Sequence, residues 1–133
     1  MATILNVTDE PALAGLMQKV LSYAGHTVLT AQSAQHAFSL IRELGSRNIS
    51  PQLLITDLHL NREKNPGESC RLIIQVRGQL GIPVILSTGA PEEIPETELQ
   101  LYGVTSVLTK PFKNITLVRS VQKALSMQHP WML

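Results

Sequence analysis

The stretch Pro51-Gln-Leu-Leu-Ile-Thr-Asp-Leu-His-Leu60 constrains the fold of this chain more than any other. Leu53 to Thr56 is a short apolar, partly β-branched run, the signature of a strand buried on both faces of a parallel sheet. It ends on a carboxylate, Asp57, and gives way to the polar run Asn61-Arg-Glu-Lys-Asn-Pro-Gly67. In an open α/β sheet, ligands and chemistry collect at the carboxyl ends of the strands. An acid placed there serves as a nucleophile, a metal ligand, or only a cap for the next helix. What the other strands deliver to the same edge decides between these roles.

Taken in order, Thr3 to Thr8 reads as a first strand with Asn6 as its one polar intrusion. Asp9 is an N-cap candidate, with Pro11 in the first turn of the helix that follows. Leu13, Leu16, Met17, Val20, Leu21 and Ala24 form its apolar stripe, and Gly25 stops it. His26 to Thr30 is a second strand. Ser33 caps a second helix with Ala34, Ala37, Phe38, Ile41 and Leu44 on its inner face, and Gly45 to Pro51 is a polar link. Beyond Gly67, Leu72, Ile73, Val76 and Leu80 mark a third helix ended by Gly81. Ile82 to Leu86 is a fourth strand, with Pro83 at its start where no ladder donor is needed. Ser87 to Pro91 reads as a loop. Glu92 to Tyr102 is a short helix whose apolar face is weakened by Pro95 and four glutamates. Val104 to Thr109 is a fifth strand, and after Lys110-Pro111-Phe112 a last helix carries Leu117, Val118, Val121, Ala124 and Leu125. The tail His129 to Leu133 reads as a loose end or a docking patch.

Strands alternating with helices five times through short links imply a doubly wound parallel sheet covered on both faces. No boundary or repeat divides the 133 residues, so a single domain over 1–133 is expected, with its core at about 4–125 and a tail over 126–133. The net charge is +1, with 11 basic residues spread against 10 acidic ones, which gives no electrostatic case for direct nucleic-acid binding. The single cysteine, Cys70, excludes an internal disulfide and reads as a small packing residue. The first residues lack a basic n-region, and no apolar run approaches the ~20 residues of a membrane span. A cytoplasmic protein without membrane contact is expected.

Thr8-Asp9, Asp57, Ser87-Thr88 and Lys110 all fall at or just past the carboxyl ends of strands one, three, four and five. Taken singly, Asp9 could be a cap, Thr88 a turn residue and Lys110 a solvated lysine; together they suggest phosphoryl chemistry. Asp9 and Asp57 suit a hard cation such as Mg2+, which takes oxygen ligands. A carboxylate can itself accept the group as an aspartyl phosphate. Lys110 supplies a cation and Thr88 a hydroxyl donor for the spread charge of the transferring group.

The segments Ile4–Pro11, Leu53–Leu58, Pro83–Gly89 and Gly103–Phe112 resemble the receiver domain of two-component response regulators, over about Ile4 to Leu125. Asp57 at the end of strand three and Lys110-Pro-Phe after strand five are the most specific parts. The resemblance implies a flavodoxin-like fold of strand order 2-1-3-4-5 with five helices. It implies that Asp57 takes a phosphoryl group from a histidine kinase or histidine phosphotransfer protein, the domain itself not being an enzyme. By the same resemblance, Asp9, Asp57 and the backbone carbonyl of His59 bind Mg2+, Lys110 contacts the phosphoryl oxygens, and Thr88 is the switch hydroxyl.

Three departures bear on function. Thr8 stands where the family usually has the first of two adjacent acids; its hydroxyl can hold a metal-bound water, but a negative charge is lost. Weaker Mg2+ binding is therefore expected, and Glu10 compensates only if it turns inward. Val107 occupies the place of a switch aromatic. The loop from Asp57 to Gly67 is about two residues longer than usual and lacks the expected Pro after Leu60. These departures define the alternative, a pseudo-receiver that binds partners without phosphorylation. A small-molecule aspartyl-phosphate hydrolase is disfavoured because His59 stands where such enzymes carry a second acid. Flavin binding is disfavoured because Thr8-Asp-Glu-Pro11 is acidic rather than a phosphate cradle.

Overall fold

The computed structural model describes residues 2–60 and 67–126. Five parallel strands, β1 (Thr3–Val7), β2 (Thr27–Ala31), β3 (Leu53–Asp57), β4 (Val84–Thr88) and β5 (Ser106–Thr109), form one sheet in the order β2-β1-β3-β4-β5. Between and after them run α1 (Pro11–Tyr23), α2 (Ala34–Ser46), α3 (Gly67–Leu80), α4 (Glu96–Tyr102) and α5 (Asn114–Ser126). This is the doubly wound, flavodoxin-like arrangement expected from the strand–helix alternation.

Alternation along the strands sorts the core into two layers. Leu5, Val7, Leu54, Val84 and Leu86 face α2 and α3, packing with Ala37, Leu72, Ile73 and Val76. Ile4, Leu53, Ile55, Ile85 and Leu108 face α1 and α5, packing with Met17, Leu21, Leu117 and Val121. All five residues of β3 are buried, as its continuous apolar run requires of a central strand.

Local chemistry sets the helix ends. Pro11 opens α1, but the cap position is Glu10 rather than Asp9, and no side chain caps the helix. The Thr8 hydroxyl instead accepts the Glu10 amide at 3.2 Å, a turn that directs the chain out of β1. Leu16, placed on the inner stripe by spacing, is exposed. Ser33 caps α2 as expected, accepting the His36 amide at 3.0 Å. Gly103 ends α4 at φ 94°, a conformation that disfavours any side chain, and a Cβ there would meet Arg77 at 2.7 Å.

The boundaries of β4 differ from the sequence expectation. The strand runs from Val84 to Thr88, two residues later than Ile82–Leu86, because Pro83 contributes only its carbonyl, to the Leu54 amide at 3.1 Å. Ser87 and Thr88 thereby join the strand instead of the loop. The Glu92–Tyr102 segment divides into a 3-10 turn (Pro91–Glu93) and α4, with Pro95 at the cap between them. No residue of α4 is buried; Ile94, just before it, is the buried apolar anchor of the segment. The longer loop after Leu60 and the tail from His129 lie outside the described residues.

Candidate functional site

Asp57 ends the central strand and is 4% exposed, beneath the carboxyl edge of the sheet. Thr8, on the turn after β1, is equally buried and lies on the same face. Its hydroxyl donates to Asp57 Oδ2 at 2.6 Å. Lys110, just past β5, reaches Asp57 Oδ1 with its ammonium at 3.0 Å. The two carboxylate oxygens are thus engaged separately, one by a hydroxyl and one by a cation. Lys110 also pairs with Glu10 at 2.5 Å across the mouth of the site.

Burial pushes the Asp57 pKa up, against the opposing effects of the Thr8 hydrogen bond and the nearby Lys110 charge; Glu10 pushes it up further. Burial also works against the Lys110 ammonium, but the hydrogen bonds and charges of Glu10 and Asp57 outweigh it and raise the lysine pKa. The two directions are consistent. Asp57 is the more deeply buried partner and lacks full compensation, while Lys110 answers to two carboxylates.

Carboxylate oxygens of Asp9, Glu10 and Asp57 lie within 4.8 Å of one another. Opposite ligands of a Mg2+ ion stand about 4.2 Å apart, twice its oxygen bond length of about 2.1 Å. An all-oxygen set of this spread therefore fits a hard divalent cation after a small contraction. Glu10 stays exposed at the mouth of the site, but its carboxylate comes within reach of those of Asp9 and Asp57, as offsetting the charge missing at Thr8 requires. Sequence reasoning passed over its pairing with Lys110, 100 residues away; its signal was its place directly after Thr8-Asp9 and before the helix-opening Pro11.

Two expected residues stand apart from the carboxylate. Thr88 is 5% exposed at the end of β4, and its hydroxyl accepts the Ala90 amide at 3.0 Å. It makes no hydrogen bond to Asp57 among the described residues. The His59 ring contacts Glu93 at 2.6 Å, tying the end of β3 to the turn that follows β4. Val107, in the place of the expected aromatic, is half-buried and lines a groove of about 430 Å³ with Ile94, Leu99 and Val104.

Residues 4–122 match the family model described as the response regulator receiver domain. The chain is 29% identical over 133 residues to the transcriptional regulatory protein GlrR of Escherichia coli, covering 97% of this chain and 27% of that protein. It is 29% identical over 122 residues to the DNA-binding response regulator MtrA of Mycolicibacterium smegmatis, covering 92% and 50%. The chain thus spans about a quarter to a half of the length of these curated relatives. Among solved structures it is similar to the receiver domain of NtrX from Brucella abortus, with a TM-score of 0.79 and 26% identity over 93% of this chain and 98% of that one. With the strand order, the buried strand-end aspartate and the facing lysine already in place, this chain belongs to the response regulator receiver domain family.

Proposed function

We propose that Asp57 is the phosphoacceptor of a two-component or phosphorelay system. The observation that carries this is the placement of its carboxylate: buried at the end of β3, with one oxygen held by Thr8, the other by Lys110, and two further acids at its rim. A carboxylate oxygen attacks the phosphorus of a phosphohistidine, the P–N bond breaks, and the imidazole, already protonated on its other ring nitrogen, leaves neutral. Asp9, Asp57, the His59 backbone carbonyl and, in this chain, Glu10 would hold a Mg2+ ion, which would supply neutralisation of charge on the transferring group. Thr8 steadies the acceptor by donating to its Oδ2. Lys110 exchanges Asp57 Oδ1 for the phosphoryl oxygens. Thr88 exchanges the Ala90 amide for the same group. The donor is a histidine kinase or histidine phosphotransfer protein, and the domain acts as a phosphoacceptor rather than as a turnover enzyme.

The added charge, about −1.5 to −2, then shifts the population of the surface formed by the Pro91–Glu93 turn, α4, β5 and α5. Within it the Pro91–Glu93 turn and α4 are acidic and have no buried residue, which favours a partner other than a symmetric copy. Any DNA contact of a longer regulator belongs to its other segments, since this domain carries no basic stripe. No helix among the described residues is long and apolar enough to cross a membrane; we place the domain in the cytoplasm because its phosphodonor acts there. Nothing in the site favours the pseudo-receiver alternative, because acceptor, acids, hydroxyl and lysine all stand at the strand ends.

The test is intact mass after incubation with Mg2+ and a small-molecule phosphodonor, beside Asp57→Asn. The expected result is one phosphate on the wild type and none on the variant. Equal labelling of both overturns the assignment. If neither is labelled, a beryllofluoride titration decides, and no binding there also overturns it.

A further inference from the structure

We infer that the Ser87 hydroxyl is a second positioning group for Asp57, one that gains its acceptor when Asp57 is phosphorylated. This rests on the phosphoacceptor reading and assigns a role to a residue outside the acid–hydroxyl–lysine set. Ser87 lies directly opposite Asp57 in the β3–β4 register and opposite Leu108 in the β4–β5 register. Strand alternation puts its side chain on the face of Ile85, the same face on which Asp57 follows Ile55. It is 1% exposed, and its Oγ has no hydrogen-bond partner among the described residues.

A hydroxyl buried among Ile55, Ile85 and Leu108 without a partner is unfavourable, and an apolar residue would serve packing better. The plain alternative is that serine is only a small filler between strands. Its place beside the acceptor argues otherwise. In the resting state Thr8 donates to Asp57 Oδ2 and the Lys110 ammonium holds Oδ1, while Ser87 Oγ bonds to neither. When Lys110 turns to the phosphoryl oxygens, the carboxyl oxygen it held becomes available across the strand pair. Ser87, directly across the register from Asp57, is the hydroxyl placed to donate to it. A donor unpaired before phosphorylation and paired after it stabilises the phosphorylated state selectively and slows its decay.

The experiment follows loss of the aspartyl phosphate by intact mass, after removal of the small-molecule phosphodonor, in the full chain. Wild type beside Asp57→Asn first establishes labelling. Failure there overturns the phosphoacceptor reading itself, independently of any Ser87 variant. Given labelling, Ser87→Ala is expected to shorten the phosphoryl lifetime about three- to tenfold, the effect of one hydrogen bond. Its resting melting temperature should equal or exceed that of the wild type, because an unpaired donor has been removed. Should Ser87→Ala fail to fold, Ser87→Thr against Ser87→Val repeats the comparison at constant volume, with the hydroxyl-bearing variant keeping its phosphate longer. Equal lifetimes with and without the hydroxyl overturn the proposal. So does a lowered resting melting temperature in Ser87→Ala, which would mean that the hydroxyl is already paired.

Discussion

Thr8 and Asp57 meet at 2.6 Å in a place where the usual second acid would set two carboxylates against each other. Thr8 instead supplies a neutral donor to Asp57, and on the phosphoacceptor reading it does so at the expense of cation affinity. Thr8→Ala removes a hydrogen bond to a charged group, worth about 1.5–3 kcal/mol, and should lower the melting temperature accordingly. Thr8→Asp restores the acid. It should melt lower than wild type without divalent cations and bind Mg2+ about five- to tenfold more tightly, as one added interaction of about 1 kcal/mol implies. Melts and Mg2+ titrations on the two variants check both directions. Asp57 itself stabilises the unfolded side of the equilibrium at neutral pH. Its folded pKa is raised, so its contribution is fully favourable only below the unfolded value near 3.8 and is lost as pH rises through the raised folded value. Asp57→Asn should consequently melt higher than wild type at pH 7, with the gap closing toward pH 3.8. An unchanged gap across that range would mean that Lys110 fully compensates the buried charge.

Among the elements, α4 is set apart by what it lacks. It has seven residues, none of them buried, and follows a proline cap with no side-chain hydrogen bond. Its attachment rests on Ile94 in the core beside β4, on the partly buried Leu99 and Tyr102 against the same cluster, and on the His59–Glu93 contact at 2.6 Å, the last worth at most about 1 kcal/mol at this exposure. Ile94→Ala, a cavity-forming change of about 2 kcal/mol or more, should raise amide exchange in residues 96–102 well before that in β3. Uniform loss of protection would instead show that α4 unfolds only with the whole domain. The same contrast explains what could be read in the sequence. β3, α2 and α3 announce themselves because burial imposes periodicity and caps on them. Glu92–Tyr102 carries no such pressure, so its division at Pro95 was hidden. The start of β4 was misplaced because Ile82 and Pro83 have strand-like composition, while pairing begins only at Val84. At the site, chain position alone showed that Asp9, Asp57, Thr88 and Lys110 share one edge. The Thr8–Asp57 bond and the Glu10–Lys110 pair depend on side-chain reach across β1, β3 and β5, which spacing does not encode.

Across the whole molecule, the site is where separate parts of the chain are tied together. Glu10 precedes α1, Asp57 ends the central strand and Lys110 follows the far edge strand, so the Lys110 ammonium links three stretches that the core alone holds apart. A divalent cation among Asp9, Glu10 and Asp57 would compete with that ammonium for the same negative charge. Such competition would make metal affinity and Lys110 position opposite sides of one equilibrium. Mg2+ binding only the folded chain stabilises it by about 2.7 kcal/mol at a hundred times its dissociation constant. At about 3–5 °C per kcal/mol for a domain of this size, saturating Mg2+ should raise the melting temperature by about 8–13 °C, and a chelator should reverse it. In Lys110→Ala the competitor is gone and the carboxylates repel. The variant should melt lower than wild type without Mg2+, yet gain more from the cation. If Mg2+ instead stabilises wild type and Lys110→Ala equally, metal and lysine occupy independent places, and the exchange of Lys110 from carboxylate to phosphoryl group would need a trigger other than the cation.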